Sequence, residues 1–180
     1  MTESLKDILA HKSETKKKFT AKLKLAANKP LIGIILDKDL GSNDVELLVS
    51  VLEGAEELDV SVVVLKDKAL PEEVEKFSGI SKNVVVAEYK RIDRENLLTA
   101  ADMTMSFDFN DVEEMLVNGV VPISLQRPEI QDYNPNKESG NAFVYKKKSK
   151  WSAFAALVRA SETFKFPYDW KNIVRQTVER

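Results

Sequence analysis

Few residues in this sequence are of types that could do chemistry. The 180 residues include one histidine and no cysteine. Thiolate nucleophiles, cysteine metal sites and disulfides are therefore excluded. His11 stands in a lysine-rich leading segment, "MTESLKDILAHKSETKKK", where it reads as a solvated helix residue rather than a proton-transfer group. Asp108, Asp111, Glu113 and Glu114 could together suggest a metal, but no histidine lies near them. Their spacing suits a helix start, where carboxylates satisfy free N–H groups and oppose the helix dipole, so no metal is expected. Lys16-Lys17-Lys18 and the "YKKKSK" of 145–150 are basic clusters. The formal net charge of -2 argues that both are solvated surfaces, and that nucleic acid and membrane are not partners. No Ser-His-Asp set, P-loop or dinucleotide glycine fingerprint is present, and no catalytic residue is assigned. The most distinctive stretch is "EIQDYNPNKESGNAFVY" (129–145). Its Asp, Asn, Pro and Gly are turn formers, and loops of this kind often carry binding residues.

The elements that would position these residues alternate regularly. Residues 4–25 read as a helix carrying Leu5, Ile8, Leu9, Phe19 and Leu23, ended by Asn28-Lys29-Pro30. "LIGIIL" (31–36) is a continuous apolar run, the signature of a strand buried on both faces. Asn43 and Glu46 resemble a capping pair opening a helix with Val45, Leu48, Val51, Leu52 and Ala55 on one face. Further strands are expected at 60–65, 83–89, 103–107, 120–124 and 142–145. Intervening helices open at Pro71, at Asp93 and at the Asn110–Glu113 pair, the last of them ending at Gly119. Two helices close the chain, one presenting Trp151, Phe154, Ala155 and Val158, the other running from Pro167 with Trp170, Ile173, Val174 and Val178.

Strands separated by helices need crossovers, and crossovers give a parallel sheet. The expected fold is a single three-layer α/β/α domain: a doubly wound, Rossmann-like, mainly parallel six-stranded sheet. Its segments are a helical lead (1–26), the Rossmann-like body (27–165) and a closing helix packed on it (166–180). The 43% apolar and 31% charged composition is that of an ordinary globular protein. With no signal-like N-terminus and no apolar run of about 18 residues, a cytoplasmic location is expected.

Several segments resemble the C-terminal half of bacterial glycogen or starch synthases, glycosyltransferases built from two Rossmann-like domains. "HKSETKKKF" (11–19) is similar to the lead into that half. "KPLIGIILDKDLGSNDVELL" (29–48) is similar to its first strand, turn and helix. "LLTAADMTMSF" (97–107) and "NGVVPI" (118–123) are similar to later strands, and "DYNP" (132–135) with Gly140 and "AFVY" to the loop near the nucleotide-sugar site. The resemblance implies a nucleotide-sugar ligand such as ADP-glucose, and no other cofactor. It places candidate ligand-binding residues at Lys38, Asn43, Ser106, Asp108 and Tyr133.

This sequence departs from the family where the family does its chemistry. Lys38 and Asn43 stand where the family has an arginine and a lysine on the diphosphate, so the bidentate fork and one charge are lost. "LKDKAL" replaces a glycine-rich turn. Ser106 falls near the family's catalytic glutamate and Asp108 near its cysteine, in "SFDFN". Arg127-Pro128-Glu129 replaces paired glycines. The family's acceptor groups come from an N-terminal domain, and both domains would need about twice this length. The expectation is a degenerate glycosyltransferase half that transfers nothing alone and retains weak nucleotide-sugar binding. The alternative is a non-enzymatic interaction module, docking a protein partner or a second copy through the cleft face. Charged residues at the strand ends (Asp37, Lys38, Asp39, Lys66, Asp67 and Lys68) suit a cleft face made soluble.

Overall fold

A computed structural model describes residues 4–36, 40–66, 70–88, 91–107 and 112–180, with backbone alone at 91–93. Six parallel strands form one sheet: β1 (Leu31–Leu36), β2 (Ser61–Lys66), β3 (Val84–Glu88), β4 (Met103–Met105), β5 (Val121–Leu125) and β6 (Phe143–Tyr145). Their order is β3-β2-β1-β4-β5-β6. The chain winds outward from β1 in one direction, then restarts at β4 and winds the other way. Every registered strand pair is parallel, so the doubly wound Rossmann-like expectation holds.

The strands form because their residues can be buried on both sides. Ile32, Ile34, Leu36, Val62 and Val64 face one cluster, whereas Leu31, Ile35, Val63 and Leu65 face another. This is the alternation a pleated strand imposes. The first cluster is covered by α2 (Ser42–Glu56), α7 (Lys150–Phe164) and α8 (Pro167–Val178), with Val74 of α3 (Glu72–Glu75) and Phe77 of α4 (Phe77–Ile80) at its margin. On the opposite face α5 (Arg91–Ala100) supplies Leu97 and Leu98, and α1 (Leu5–Lys22) packs over it through Phe19. A third cluster joins Val112 and Leu116 of α6 (Val112–Val117) to Ile130, Ala142 and Val144.

The two borders of the sheet differ. Beyond β6 the loop returns and forms a parallel bridge, Asp132 to Ala142, and the Asp132 carboxylate accepts the Val144 N–H at 2.8 Å. Beyond β3 no further strand pairs among the described residues.

Four local expectations are corrected. Helix α2 starts at Ser42 behind an extended Gly41, with no side-chain cap. Asn43 is therefore inside the first turn and makes no capping pair with Glu46. Helix α5 begins at Arg91, so Asp93 stands within the helix rather than ahead of it. Helix α7 buries Ala153, Ala156, Leu157, Ala160 and Ser161, and its Trp151 is 74% exposed. The small face is inward because α2 and the sheet come close. A Cβ on Gly54 of α2 would stand 2.3 Å from the Phe154 ring. Finally, Lys16 is not a solvated residue. With Lys12 and Thr20 it forms the buried stripe of α1. Gly119, at φ +65°, ends α6 as expected. Asn110 lies outside the described residues.

Among the described residues, no helix is long and apolar enough to cross a membrane.

Candidate functional site at the switch point of the sheet

The chain reverses its winding between β1 and β4, and open parallel sheets bind ligands beyond the carboxyl ends of their strands at such a reversal. The ladder between the two strands is registered only at Ile32–Met103 and Gly33–Thr104. The described residues after these strands are 40–41, leading into α2, and 106–107. On the β1 side, Gly41 leads into α2, whose first N–H groups receive no side-chain cap. Those N–H groups and the helix dipole favour an anion. Asn43 is exposed in this turn. The neighbouring Asp44 is tied to Lys148 at 2.7 Å, which fixes the β6–α7 turn against the start of α2.

The β4 side is closed by internal bonds. Ser106 is fully buried, and its hydroxyl donates to the Met115 sulfur at 3.3 Å. Its carbonyl accepts the Tyr145 hydroxyl at 2.9 Å. Arg127 donates to the Phe107 carbonyl at 3.1 Å, holding the post-β5 turn beside the post-β4 turn. Lys38 and Asp108 lie outside the described residues.

Tyr133 lies in the loop between β5 and β6. Its ring is buried, 5.9 Å from Phe143, and its hydroxyl donates to Asp169 Oδ1 at 3.2 Å. Burial, then the Asp169 carboxylate accepting its proton, push this phenol up to about 12. Asn43 is thus exposed at the start of α2 and Ser106 is buried after β4, whereas Tyr133 packs against α8. The basic cluster at 146–150 is divided as well. Lys146 and Lys147 are exposed, Lys148 pairs with Asp44, and Lys150 lies 5.6 Å from the Trp151 ring centroid. Reasoning from sequence missed the Asp44–Lys148 tie. Asp44 in a first turn and Lys148 in a basic run were the visible signals, but their meeting depends on strand order.

At the opposite, amino-terminal edge of the sheet, α1 is clamped by two lysines. Lys12 Nζ donates to the carbonyls of Thr99 and Asn118 at 3.1 and 3.2 Å, with Leu98 O at 3.5 Å. It thereby serves the carboxyl ends of both α5 and α6. Burial pushes the Lys12 ammonium down to about 8; Asp102 opposes that shift and Lys16 adds to it. Lys16 pairs with Asp102 at 2.6 Å, and the same carboxylate oxygen accepts the Leu31 N–H at 2.8 Å. Among the described residues, no group of three or more His, Cys, Asp or Glu side chains is placed to hold a metal ion.

The class that the described residues define is that of the fold: a doubly wound, Rossmann-like α/β domain with an all-parallel sheet. Several solved structures share this fold. HepE from Anabaena, in complex with UDP, is 13% identical with a TM-score of 0.63, covering 92% of this chain and 47% of that one. A glycosyltransferase from Rickettsia africae is 12% identical with a TM-score of 0.65, covering 92% and 46%. UDP-GlcNAc 2-epimerase from Neisseria meningitidis, bound to UDP-GlcNAc, is 15% identical with a TM-score of 0.57, covering 93% and 46%. The chain spans a little under half the length of these proteins. No protein-family model and no curated protein sequence matches it.

Proposed function

We propose that this chain is the nucleotide-sugar-binding half of a glycosyltransferase-type protein, holding the diphosphate end of a donor and transferring no sugar by itself. The observation that carries this reading is the reversal of strand order between β1 and β4, together with the start of α2, which follows β1 and has no side-chain cap. A diphosphate is the ligand such a helix start favours. The UDP and UDP-GlcNAc bound to proteins of this fold make uridine nucleotides the first ligands to test. The resemblance to glycogen and starch synthases adds ADP-glucose. Transfer needs both substrates held in one geometry, and Ser106, near the position of the family's catalytic glutamate, is sealed against Met115. Calorimetry with UDP, UDP-GlcNAc, UDP-glucose, ADP and ADP-glucose tests the reading. Binding of a nucleotide diphosphate, weakened by Lys38→Ala, is expected. Absence of heat at millimolar ligand removes it.

A second reading, an interaction scaffold that keeps only the fold, is favoured by Trp151. This large apolar side chain is exposed next to the Lys146–Lys150 turn. If the cleft face mediates self-association, light scattering after size exclusion gives a dimer mass that Trp151→Ala returns to monomer. A monomer at all concentrations leaves this reading without support.

A further inference from the structure

The flank of the sheet beyond β3 carries a segment that is complementary to itself. In "KNVVVAE" (82–88) a valine stands at the centre, with a lysine at one end and a glutamate at the other. The Asn83 carbonyl accepts the Val62 N–H of β2 at 2.8 Å. The backbone groups of residues 83, 85 and 87 therefore serve β2, and those of 84, 86 and 88 point away from the sheet. Ser81 Oγ accepts the Val84 N–H at 3.1 Å. The Val84 carbonyl, both groups of Val86 and the Glu88 N–H have no partner among the described residues. Lys82 and Glu88 are exposed and make no ion pair among them. Val85, Val86 and Ala87 are half-buried, and Ile80, just ahead of the strand, is 78% exposed.

Antiparallel pairing of this segment with a second copy has one favoured register. With Val85 opposite the partner's Val85, Val84 faces the partner's Val86 and Lys82 faces the partner's Glu88. Outward backbone groups then meet outward ones: the Val86 N–H reaches the partner's Val84 carbonyl, and the Glu88 N–H the partner's Lys82 carbonyl. Opposite charges stand across both ends of the pair. A shift of one residue sets outward groups against inward ones. A shift of two moves both charge pairs out of direct opposition.

We propose that β3 is a self-association surface, on which a second copy of this chain pairs antiparallel through residues 82–88 about a two-fold axis at Val85. The two sheets join edge to edge. Each chain offers this edge once, and the returning loop at Asp132 borders the other flank, so association stops at a dimer.

Light scattering after size exclusion, read over a concentration series, is expected to give a dimer mass. Lys82→Glu and Glu88→Lys each set like charges opposite one another and should weaken the dimer by roughly tenfold or more, and the double reversal should restore it to within about threefold. That restoration also shows that the substituted chains fold. Crosslinking reads the register. The sequence has no cysteine, and a facing antiparallel pair without hydrogen bonds brings its Cα atoms to about 4.5 Å, so Val85→Cys should oxidise to a disulfide dimer. Ala87→Cys, about 13 Å from its copy in this register, should not. Trp151→Ala leaves this dimer intact, which separates it from association through the cleft face, and the pairing does not depend on the nucleotide reading. A monomer mass at every concentration, larger open-ended species, a dimer indifferent to both reversals or lost with Trp151→Ala, or equal crosslinking of the two cysteine variants would each overturn the proposal.

Discussion

At the residue scale, two side chains carry consequences their types do not announce. Lys12 is an ammonium buried among carbonyls, with a pKa lowered to about 8, whereas an unfolded lysine titrates near 10.4. Between these values the unfolded chain binds more protons than the folded one, so raising pH stabilises the fold. Urea unfolding of the wild type relative to Lys12→Met should be flat below pH 7 and shift in favour of the wild type from about pH 8 to 10. Gly140 is the second. It adopts φ +114°, and a Cβ there would stand 2.5 Å from the Asp132 carbonyl oxygen. Gly140→Ala therefore forces backbone apart, and a loss of about 2 kcal/mol or more is expected in chemical denaturation. The distinctiveness of the 129–145 loop was legible from Gly140 and its turn formers. The target of Tyr133 was not, because Asp169 is thirty-six residues away in sequence.

At the scale of elements, strands were easier to read than helix faces. A run such as "LIGIIL" has one stable use, a strand buried on both sides, and β1 occupies those residues. Helix α7 misled because Trp151 looks like core; Phe154 does pack against the core margin, but close packing gave the buried stripe to Ala153, Ala156 and Ala160. The inward face of α1 was hidden for a related reason. Lysines are inward only when distant carbonyls and a carboxylate await them, and these come from α5, α6 and the start of β4. The Lys16–Asp102 pair fixes α1 to the sheet and also secures the first N–H of β1. Asp102→Ala leaves a mostly buried ammonium unpaired, so a loss of about 3 kcal/mol is expected. Glu14→Ala breaks only the exposed pair with Lys18 and should leave the unfolding midpoint unchanged. Acrylamide quenching offers a direct check on α7. The Trp151 emission should quench readily and the Trp170 emission poorly, with Trp151→Phe removing the sensitive component.

At the scale of the whole molecule, strand order gives the site its place. Alternation of strands and helices in the sequence was enough to predict a doubly wound sheet. The position of the reversal decides which loops meet, and alternation of strands and helices alone does not place it. The side chains around the crevice were less legible. Ser106 is occupied by Met115 and Tyr145, partners brought by α6 and β6. If the rim holds a nucleotide diphosphate, the ligand should raise the melting temperature as its concentration rises above its dissociation constant.

The unequal borders of the sheet bear on how this protein behaves when crowded. Strand addition by another chain, in assembly or in aggregation, requires unsatisfied backbone groups in a row. The returning segment at Asp132 denies that opening on the β6 flank. Among the described residues no strand covers the β3 flank, which carries Glu88 at its end. Seeding should therefore be directional, and a proline placed in β3 where its N–H points outward would suppress it without touching the crevice.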